Sequence, residues 1–149
     1  MQVMYINSRE VVLVEYNTAQ NWYAQLPNHS WLCVIISDNR ERRYLDEVIA
    51  KIIVKDVCWI STVGVQCELV HDLADDEIIF REVDIDNLYL PKHAIMTTWH
   101  HDFREGIWFS IVAAKHETVK IDKVVLLDMT GGARLNEVKT ILETIEDLE

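Results

Sequence analysis

Apolar residues in this chain form short continuous runs, and the stretches between them carry apolar residues at helical spacing. Residues 31–37 (WLCVIIS), 57–61 (VCWIS) and 124–129 (VVLLDM) are apolar at successive positions and rich in β-branched side chains. Such runs are typical of strands buried on both faces of a sheet. Residues 94–98 (AIMTT) predict a further strand of this kind.

Helical spacing fills the chain after each of these runs. We expect helices over residues 38–55, 66–73, 102–112 and 133–148, the last with the clearest apolar face. Capping-box spacing opens the helix at Asp102. Alternating buried strands and helices predict an α/β fold, a three-layer Rossmann-like domain with a mainly parallel sheet and helices on both faces.

The remaining elements follow from weaker patterns. Residues 3–6 and 11–16 predict an N-terminal hairpin or edge strand, and residues 17–26 a short helix with capping-box spacing. Residues 78–83 (IIFREV) predict another edge strand. The chain of 149 residues has the usual length of one domain, so we expect residues 1–149 to form a single unit.

The net charge of -11 narrows the range of partners. Nucleic acids and anionic membranes need basic surfaces, so neither is an expected partner. The three cysteines form no C-x-x-C pair, which argues against a disulfide framework or a zinc ribbon. No apolar run is long enough for a membrane span and the first residues lack a secretory pattern, so we expect a cytoplasmic protein.

Ligands bind beyond the carboxyl ends of the strands in open parallel sheets. Several side chains capable of acid–base chemistry fall at such ends or just after them. A histidine beside a carboxylate there would titrate near neutral pH. The candidate catalytic residues are Asp38, Glu68, His100, His101 and Asp102, and the candidate ligand-binding residues are Trp99, Ser61, Thr130 and Gly131.

Other chemistry at these positions has less support. His100, His101 and Asp102 are metal-ligand types, but adjacent histidines diverge and no familiar metal spacing is present, so we predict neither a metal site nor a cofactor. The Thr130–Gly131 turn precedes a helix and resembles a phosphate cradle. It lacks both the G-x-G-x-x-G spacing and the P-loop lysine.

Residues 61–69 (STVGVQCEL) place Glu68 at the start of a helix that follows a strand. This arrangement is similar to that of nucleoside deoxyribosyltransferase-like and Toll/interleukin-receptor-like domains. In those domains a catalytic glutamate on such a helix acts at an N-glycosidic carbon. The resemblance covers only this segment and we transfer no activity from it, since a first-turn glutamate also complements the helix dipole.

The strongest charge pattern lies between residues 68 and 86, where eight acids face one arginine. This pattern predicts a non-catalytic module that binds another protein, with a basic protein as one candidate partner, in the manner of an immunity protein or antitoxin. The alternatives are an enzyme that handles a small ligand or nucleotide at the strand ends, and a homodimer. The candidate partner-binding residues are Asp75, Asp76, Glu82, Asp84 and Tyr89.

Overall fold

A computed structural model of the chain describes residues 2–147. Its centre is a six-stranded sheet in the order β1-β2-β6-β3-β4-β5, in which β1 is antiparallel to β2 and the other neighbours are parallel. The strands are β1 Gln2–Ile6, β2 Arg9–Glu15, β3 Trp31–Ile36, β4 Trp59–Val63, β5 Met96–His100 and β6 Lys123–Asp128.

Four α-helices pack on this sheet within the described residues. They are α1 Arg42–Val54, α2 Cys67–Val83, α3 Phe103–Trp108 and α4 Leu135–Asp147. A turn of 3₁₀ helix spans Trp22–Gln25, and a turn of π-helix, Phe109–Ala113, continues α3. Among residues 2–147 no helix is both long and apolar enough to cross a membrane.

The central strands are covered on both faces, as the continuous apolar runs predict. Every residue of β3 is buried. Alternate side chains of the sheet join two separate cores. One core holds the buried faces of α1 and α2, and the other holds those of α3 and α4. The α/β class and the mostly parallel sheet are therefore confirmed.

The N-terminal strands form a hairpin. β1 pairs with β2 around a two-residue turn in which Asn7 and Ser8 have φ angles of 55° and 61°. Positive φ angles at both central residues are typical of a tight, two-residue hairpin turn. The side chain of Asn7 also donates to the carbonyls of Ile111 and Val112, which ties the hairpin to the π-turn.

The edge strand predicted over residues 78–83 is wrong, because these residues continue α2. The first half of α2 buries Val70, Leu73 and Ala74, whereas no residue from Asp75 to Val83 is fully buried. In this half only Ile78 packs against the core, and the neighbouring Ile79 and Phe80 are exposed. The helix therefore shows no clear apolar periodicity here, and its consecutive apolar residues resemble a strand.

The predicted boundaries of four other elements also need correction. β4 and β5 each lie two residues later than predicted, so Ser61 is in mid-strand and His100 ends β5. The helix predicted at residues 17–26 is only a 3₁₀ turn, and α1 begins at Arg42 rather than at residue 38. Residue 148 of the predicted last helix lies outside the described residues.

Gly106 of α3 provides a test of packing between the helix and the sheet. A Cβ at this position would lie 2.4 Å from Val63 Cγ1 and 2.8 Å from His100 Cβ. Although alanine favours a helix over glycine by about 1 kcal/mol, overpacking costs about 1–3 kcal/mol. Because both contacts are shorter than any ordinary Cβ contact, we expect the upper part of that cost, about 2–3 kcal/mol. Less the helix gain, Gly106→Ala should lower the free energy of unfolding by about 1–2 kcal/mol, as measured by urea denaturation.

The matched control is Gly131→Asn. Gly131 has a φ of 68°, and a Cβ there meets no atom within 4 Å. Asparagine tolerates this left-handed backbone, so the control should change stability by only a few tenths of a kcal/mol. A Gly106→Ala protein as stable as wild type would contradict the packing described for α3.

Candidate functional site

The carboxyl ends of the parallel strands lie along one edge of the sheet, and three groups of polar residues gather there. The first lies between β3 and β6, the second follows β6, and the third lies beside β4 and β5. The helices that follow β3 and β6 pack on opposite faces of the sheet. A crevice between two such strands is the usual ligand site of an open α/β sheet.

In the first group, Asp38 is held by Arg134. The guanidinium Nε donates to Asp38 Oδ2 at 2.9 Å and Nη2 donates to Oδ1 at 3.0 Å. The backbone N–H of Val65 also donates to Oδ1 at 2.9 Å. Hydrogen bonding to Arg134 holds the pKa of Asp38 below its usual value, and partial burial works against that effect. Asp38 is thus an ionised structural anchor between β3, α2 and α4.

Gln66 and Arg40 close the same crevice. Gln66 Oε1 accepts from Ser37 Oγ and from the backbone N–H of Arg40, and its Nε2 donates to the Arg40 carbonyl at 3.0 Å. The guanidinium Nε of Arg40 donates to the Met129 carbonyl at 2.8 Å. Several groups that would face a ligand between β3 and β6 therefore bind one another, and a cavity of about 190 Å³ lined by Arg40, Met129 and Thr130 remains beside them.

The second group is the turn after β6. Asp128 accepts hydrogen bonds from the backbone N–H groups of Thr130 and Gly132 and from the Thr130 hydroxyl. These N–H groups are the ones expected to cradle a phosphate. Because a carboxylate of the chain already occupies them, Thr130 and Gly131 form a self-contained turn.

The third group brings together two predicted catalytic residues and a cysteine. His101 Nε2 lies 3.2 Å from Glu68 Oε1, and His101 Nδ1 lies 3.7 Å from Cys67 Sγ. Cys67 and Glu68 open α2 just after β4, whereas His101 directly follows β5. The parallel pairing of β4 and β5 makes these three residues neighbours.

This arrangement has the order of a nucleophile, a base and an orienting carboxylate. The imidazole and the carboxylate are largely exposed, whereas Cys67 is only 1% exposed. Burial raises the pKa of the Cys67 thiol, and the backbone N–H of Glu68 works against that rise. The thiol is therefore mainly protonated near neutral pH unless the imidazole accepts its proton.

The other predicted site residues in this region lie apart from His101. His100 points to the opposite face of the sheet, where Nε2 lies 3.2 Å from Thr98 Oγ1 and the ring packs on Phe109. Burial lowers the pKa of His100. The Asp102 carboxylate caps α3 by accepting from Glu105 N–H, as predicted. Ser61 is fully buried and accepts from the Ser110 hydroxyl.

Trp99 lies on the α2 face of β5 and is half exposed. Its ring packs against His71 with centroids 4.7 Å apart. Thr97, two residues earlier on the same face, donates its hydroxyl to Asp75 Oδ1 at 2.5 Å and contacts His71 Nε2. Trp99 is therefore an exposed aromatic surface on the last strand of the sheet.

The candidate partner-binding residues surround the exposed second half of α2. Apolar side chains more than half exposed lie among them, in α2 and in the segment after it. Tyr89 is half exposed, and its hydroxyl donates to Asp56. We name this region the docking surface; it consists of Asp75, Asp76, Ile79, Phe80, Glu82, Val83, Asp84, Ile85 and Tyr89.

Sequence reasoning missed Cys67 and His71 as neighbours of the predicted residues. The available signal was positional: Cys67 and His71 lie four residues apart on one helix, in the segment that follows the strand next to β5. The described residues contain no group of three histidine, cysteine or acidic side chains arranged to hold a metal ion.

The fold and these residues define a small α/β domain with a thiol–imidazole–carboxylate cluster at the strand ends and an acidic, apolar surface on one helix. The chain belongs to the family described as a domain of unknown function (DUF7684), whose profile matches residues 10–145. No curated protein matches the chain. No solved structure matches it either.

The Asp38–Arg134 pair predicts a specific acid sensitivity. Because the pKa of Asp38 is depressed in the folded protein, its ionisation contributes stability above the unfolded pKa of 3.8, and this contribution is lost as pH falls through the folded pKa. Asp38→Asn should lower the free energy of unfolding by about 1–2 kcal/mol at neutral pH. The difference from wild type should shrink below about pH 4 in urea unfolding.

Asp46→Asn is the matched control, because Asp46 forms only an exposed pair with Arg42 at 3.7 Å. Such pairs contribute less than about 1 kcal/mol. A destabilisation by Asp38→Asn that stays constant down to about pH 2 would contradict the role given to Asp38.

Proposed function

We propose that this protein is a non-catalytic module that binds a basic partner protein through the docking surface. The observation that carries the proposal is the exposure of Ile79, Phe80, Val83 and Ile85, each by more than half. Exposed apolar side chains that cluster, with polar residues around them, are typical of interaction sites.

The spacing of these residues on α2 supports the proposal. Ile79 and Val83 are four residues apart and Phe80 and Val83 three apart, so the three side chains share one side of the helix. Asp75 and Asp76 lie one turn before them. A partner that covers this area would bury apolar surface worth about 25 cal/mol per Å².

A groove between α1 and α2 adds a place for an anchoring side chain. It has a volume of about 320 Å³, with Ile49, Leu73 and Phe80 forming its apolar surface. Its charged residues are Asp46, Asp76, Glu77 and Arg42, so three acids outnumber one base, and that base pairs with Asp46 at 3.7 Å. An arginine suits this composition, because its stem packs on apolar groups while its guanidinium meets carboxylates and an aromatic ring. Arginine and aromatic residues commonly dominate binding energy.

Charge determines the kind of partner. The net charge of -11 and the acids of the docking surface favour association with a basic protein and repel nucleic acids and anionic membranes. An immunity-like or antitoxin-like role fits this chemistry. We further propose a Rossmann-like, three-layer architecture and a cytoplasmic location, the latter supported by the three free thiols Cys33, Cys58 and Cys67.

A triple variant tests the docking surface. Ile79→Ser/Phe80→Ser/Val83→Ser replaces only side chains that are more than half exposed, so folding should be retained, as checked by circular dichroism. Wild-type protein should capture a basic protein from cells of the source organism, with an affinity that falls as salt rises. The triple variant should weaken that complex at least about 100-fold in a titration with the purified partner.

The matched control is Val54→Ser/Val65→Ser, which alters two exposed apolar residues elsewhere on the molecule. This control should bind as wild type does. If the triple variant binds every purified partner as tightly as the control variant, the docking surface is not the interface.

A second candidate function rests on the contact of His101 with both Glu68 and Cys67. We propose, as the alternative, an enzyme in which His101 takes the proton of Cys67 and Glu68 orients the imidazole. The thiolate would displace a leaving group from an electrophilic carbon of a small ligand at the carboxyl ends of β4 and β5. A carbon–sulfur bond would form as the bond to the leaving group breaks, and the leaving group would take the proton held by His101. This reaction requires the imidazole to move aside, because it lies next to a thiol that is 1% exposed.

Alkylation of Cys67 with iodoacetamide tests whether His101 acts as a general base or only blocks access to the thiol. If His101 acts as a base, His101→Ala should slow alkylation of Cys67 at least about tenfold near neutral pH. If the imidazole merely covers the thiol, the same change should accelerate it, which would contradict the enzyme proposal. Cys33 and Cys58 are internal controls, since both are fully buried and burial raises the pKa of Cys58 to about 11.

A further inference from the structure

β5 is an edge strand whose outer side pairs with no other strand among residues 2–147. The backbone N–H of Met96 donates to the Cys58 carbonyl, so Met96 directs its backbone groups toward β4. The N–H and C=O groups of successive residues point to opposite sides of a strand. Thr98 and His100 therefore also face β4, whereas the N–H and C=O groups of Thr97 and Trp99 point away from the sheet.

The chemistry of this edge leaves it open to pairing. Natural edge strands are commonly protected by charged side chains or proline. β5 has the sequence MTTWH, with neither lysine, acid nor proline, and it exposes Met96 and Trp99 by nearly half. Trp99 is held in place by its contact with His71, so it offers a positioned aromatic surface beside the unpaired backbone groups.

Charge argues against a second copy of this chain as the occupant. α2 packs on β4 and β5, so it is the outermost helix on its face of the sheet. Antiparallel pairing of two β5 strands would place two α2 helices side by side, about two strand spacings apart. Glu68, Asp72 and Asp75 of one copy would then approach the same acids of the other, which is repulsive.

The same acids favour a basic segment. A strand that carries lysine or arginine at alternate positions would place those side chains beside Glu68, Asp72 and Asp75 on the α2 face. Its backbone would meanwhile meet the free groups of Thr97 and Trp99. Addition of a strand to a sheet edge is a recurring mode of peptide recognition, in which backbone bonds supply affinity and alternate side chains supply specificity.

We propose that β5 accepts an extended, basic strand of the partner protein, which extends the sheet by one strand. This inference rests on the proposed function and specifies how the partner is held. The docking surface then contacts the folded body of the same partner, while the edge of the sheet binds its extended segment.

Amide hydrogen exchange of ¹⁵N-labelled protein tests the inference directly. The probe is an acetylated, amidated peptide of alternating valine and lysine, and its control is the matching peptide of valine and glutamate. In the free protein the amides of Thr97 and Trp99 should exchange fast, whereas those of Met96 and Thr98 should be protected. At saturation the lysine peptide should slow exchange at Thr97 and Trp99 at least about tenfold.

Two controls establish that any protection comes from a peptide strand paired with β5. N-methylation of the peptide amides that face β5 should abolish protection, because it removes the backbone donors and leaves the protein unchanged. Protection that grows with protein concentration in the absence of peptide would show that a second copy occupies the edge, which would overturn the proposal. Equal protection by the lysine and glutamate peptides would overturn the basic character of the occupant.

The outcomes separate this inference from the proposed function. If the triple serine variant loses the purified partner while Thr97 and Trp99 exchange freely in the wild-type complex, the edge proposal fails and the docking surface stands. If the lysine peptide and the partner both protect these amides while the triple serine variant binds normally, the edge proposal stands and the docking surface fails.

Discussion

Burial of the central strands on both faces is the constraint on which the rest of this structure depends. The residues of β3 are inaccessible on both sides of the sheet, and β6 beside it is nearly so. A parallel sheet of this composition must be covered by helices on each face. The helices that follow β3 and β4 cover one face, and those that follow β5 and β6 cover the other.

Outside the two cores, the protein has exposed apolar side chains on α2 and an unpaired edge on β5. In α2 the first half buries Val70, Leu73 and Ala74, whereas Ile79, Phe80 and Val83 in the second half are each more than half exposed. β5 has a neighbour on one side only. Exposed apolar area and unpaired strand edges both raise the risk of aggregation, and the proposed partner would cover both.

The elements that the sequence predicts well are the buried strands, because burial requires apolar residues at successive positions, and the local helix cap at Asp102. The runs that form β3 and β6 are recognisable because each contains at least four successive apolar positions, and Asp102 is recognisable as a cap because its partner lies three residues away. β5 was displaced by two residues because an edge strand that is half exposed has little apolar signal. Residues 78–83 were misread for a different reason, because the consecutive apolar residues Ile78, Ile79 and Phe80 resemble a strand although they lie on a helix.

Long-range pairing limited the prediction of the site. Asp38 is a candidate catalytic residue by its position after a strand, yet its carboxylate binds Arg134, 96 residues away, and no local pattern reveals that pair. His101 and Glu68 were singled out separately from their positions at strand ends. Their contact with each other and with Cys67 requires β4 and β5 to be neighbours, and the order of strands in a sheet is not encoded in apolar periodicity.

α2 carries the thiol and the carboxylate of the cluster, the contacts with β5 and most of the docking surface. The two candidate functions are therefore physically linked. Cys67 and Glu68 open α2, His71 and Asp75 contact β5 from its middle, and the docking surface occupies its end. A strand added at β5 would lie beside Trp99 and close to His101, so it would restrict the movement that exposes Cys67. Partner binding and thiol reactivity should therefore oppose each other, and a protein that used both would be active only when its partner is absent.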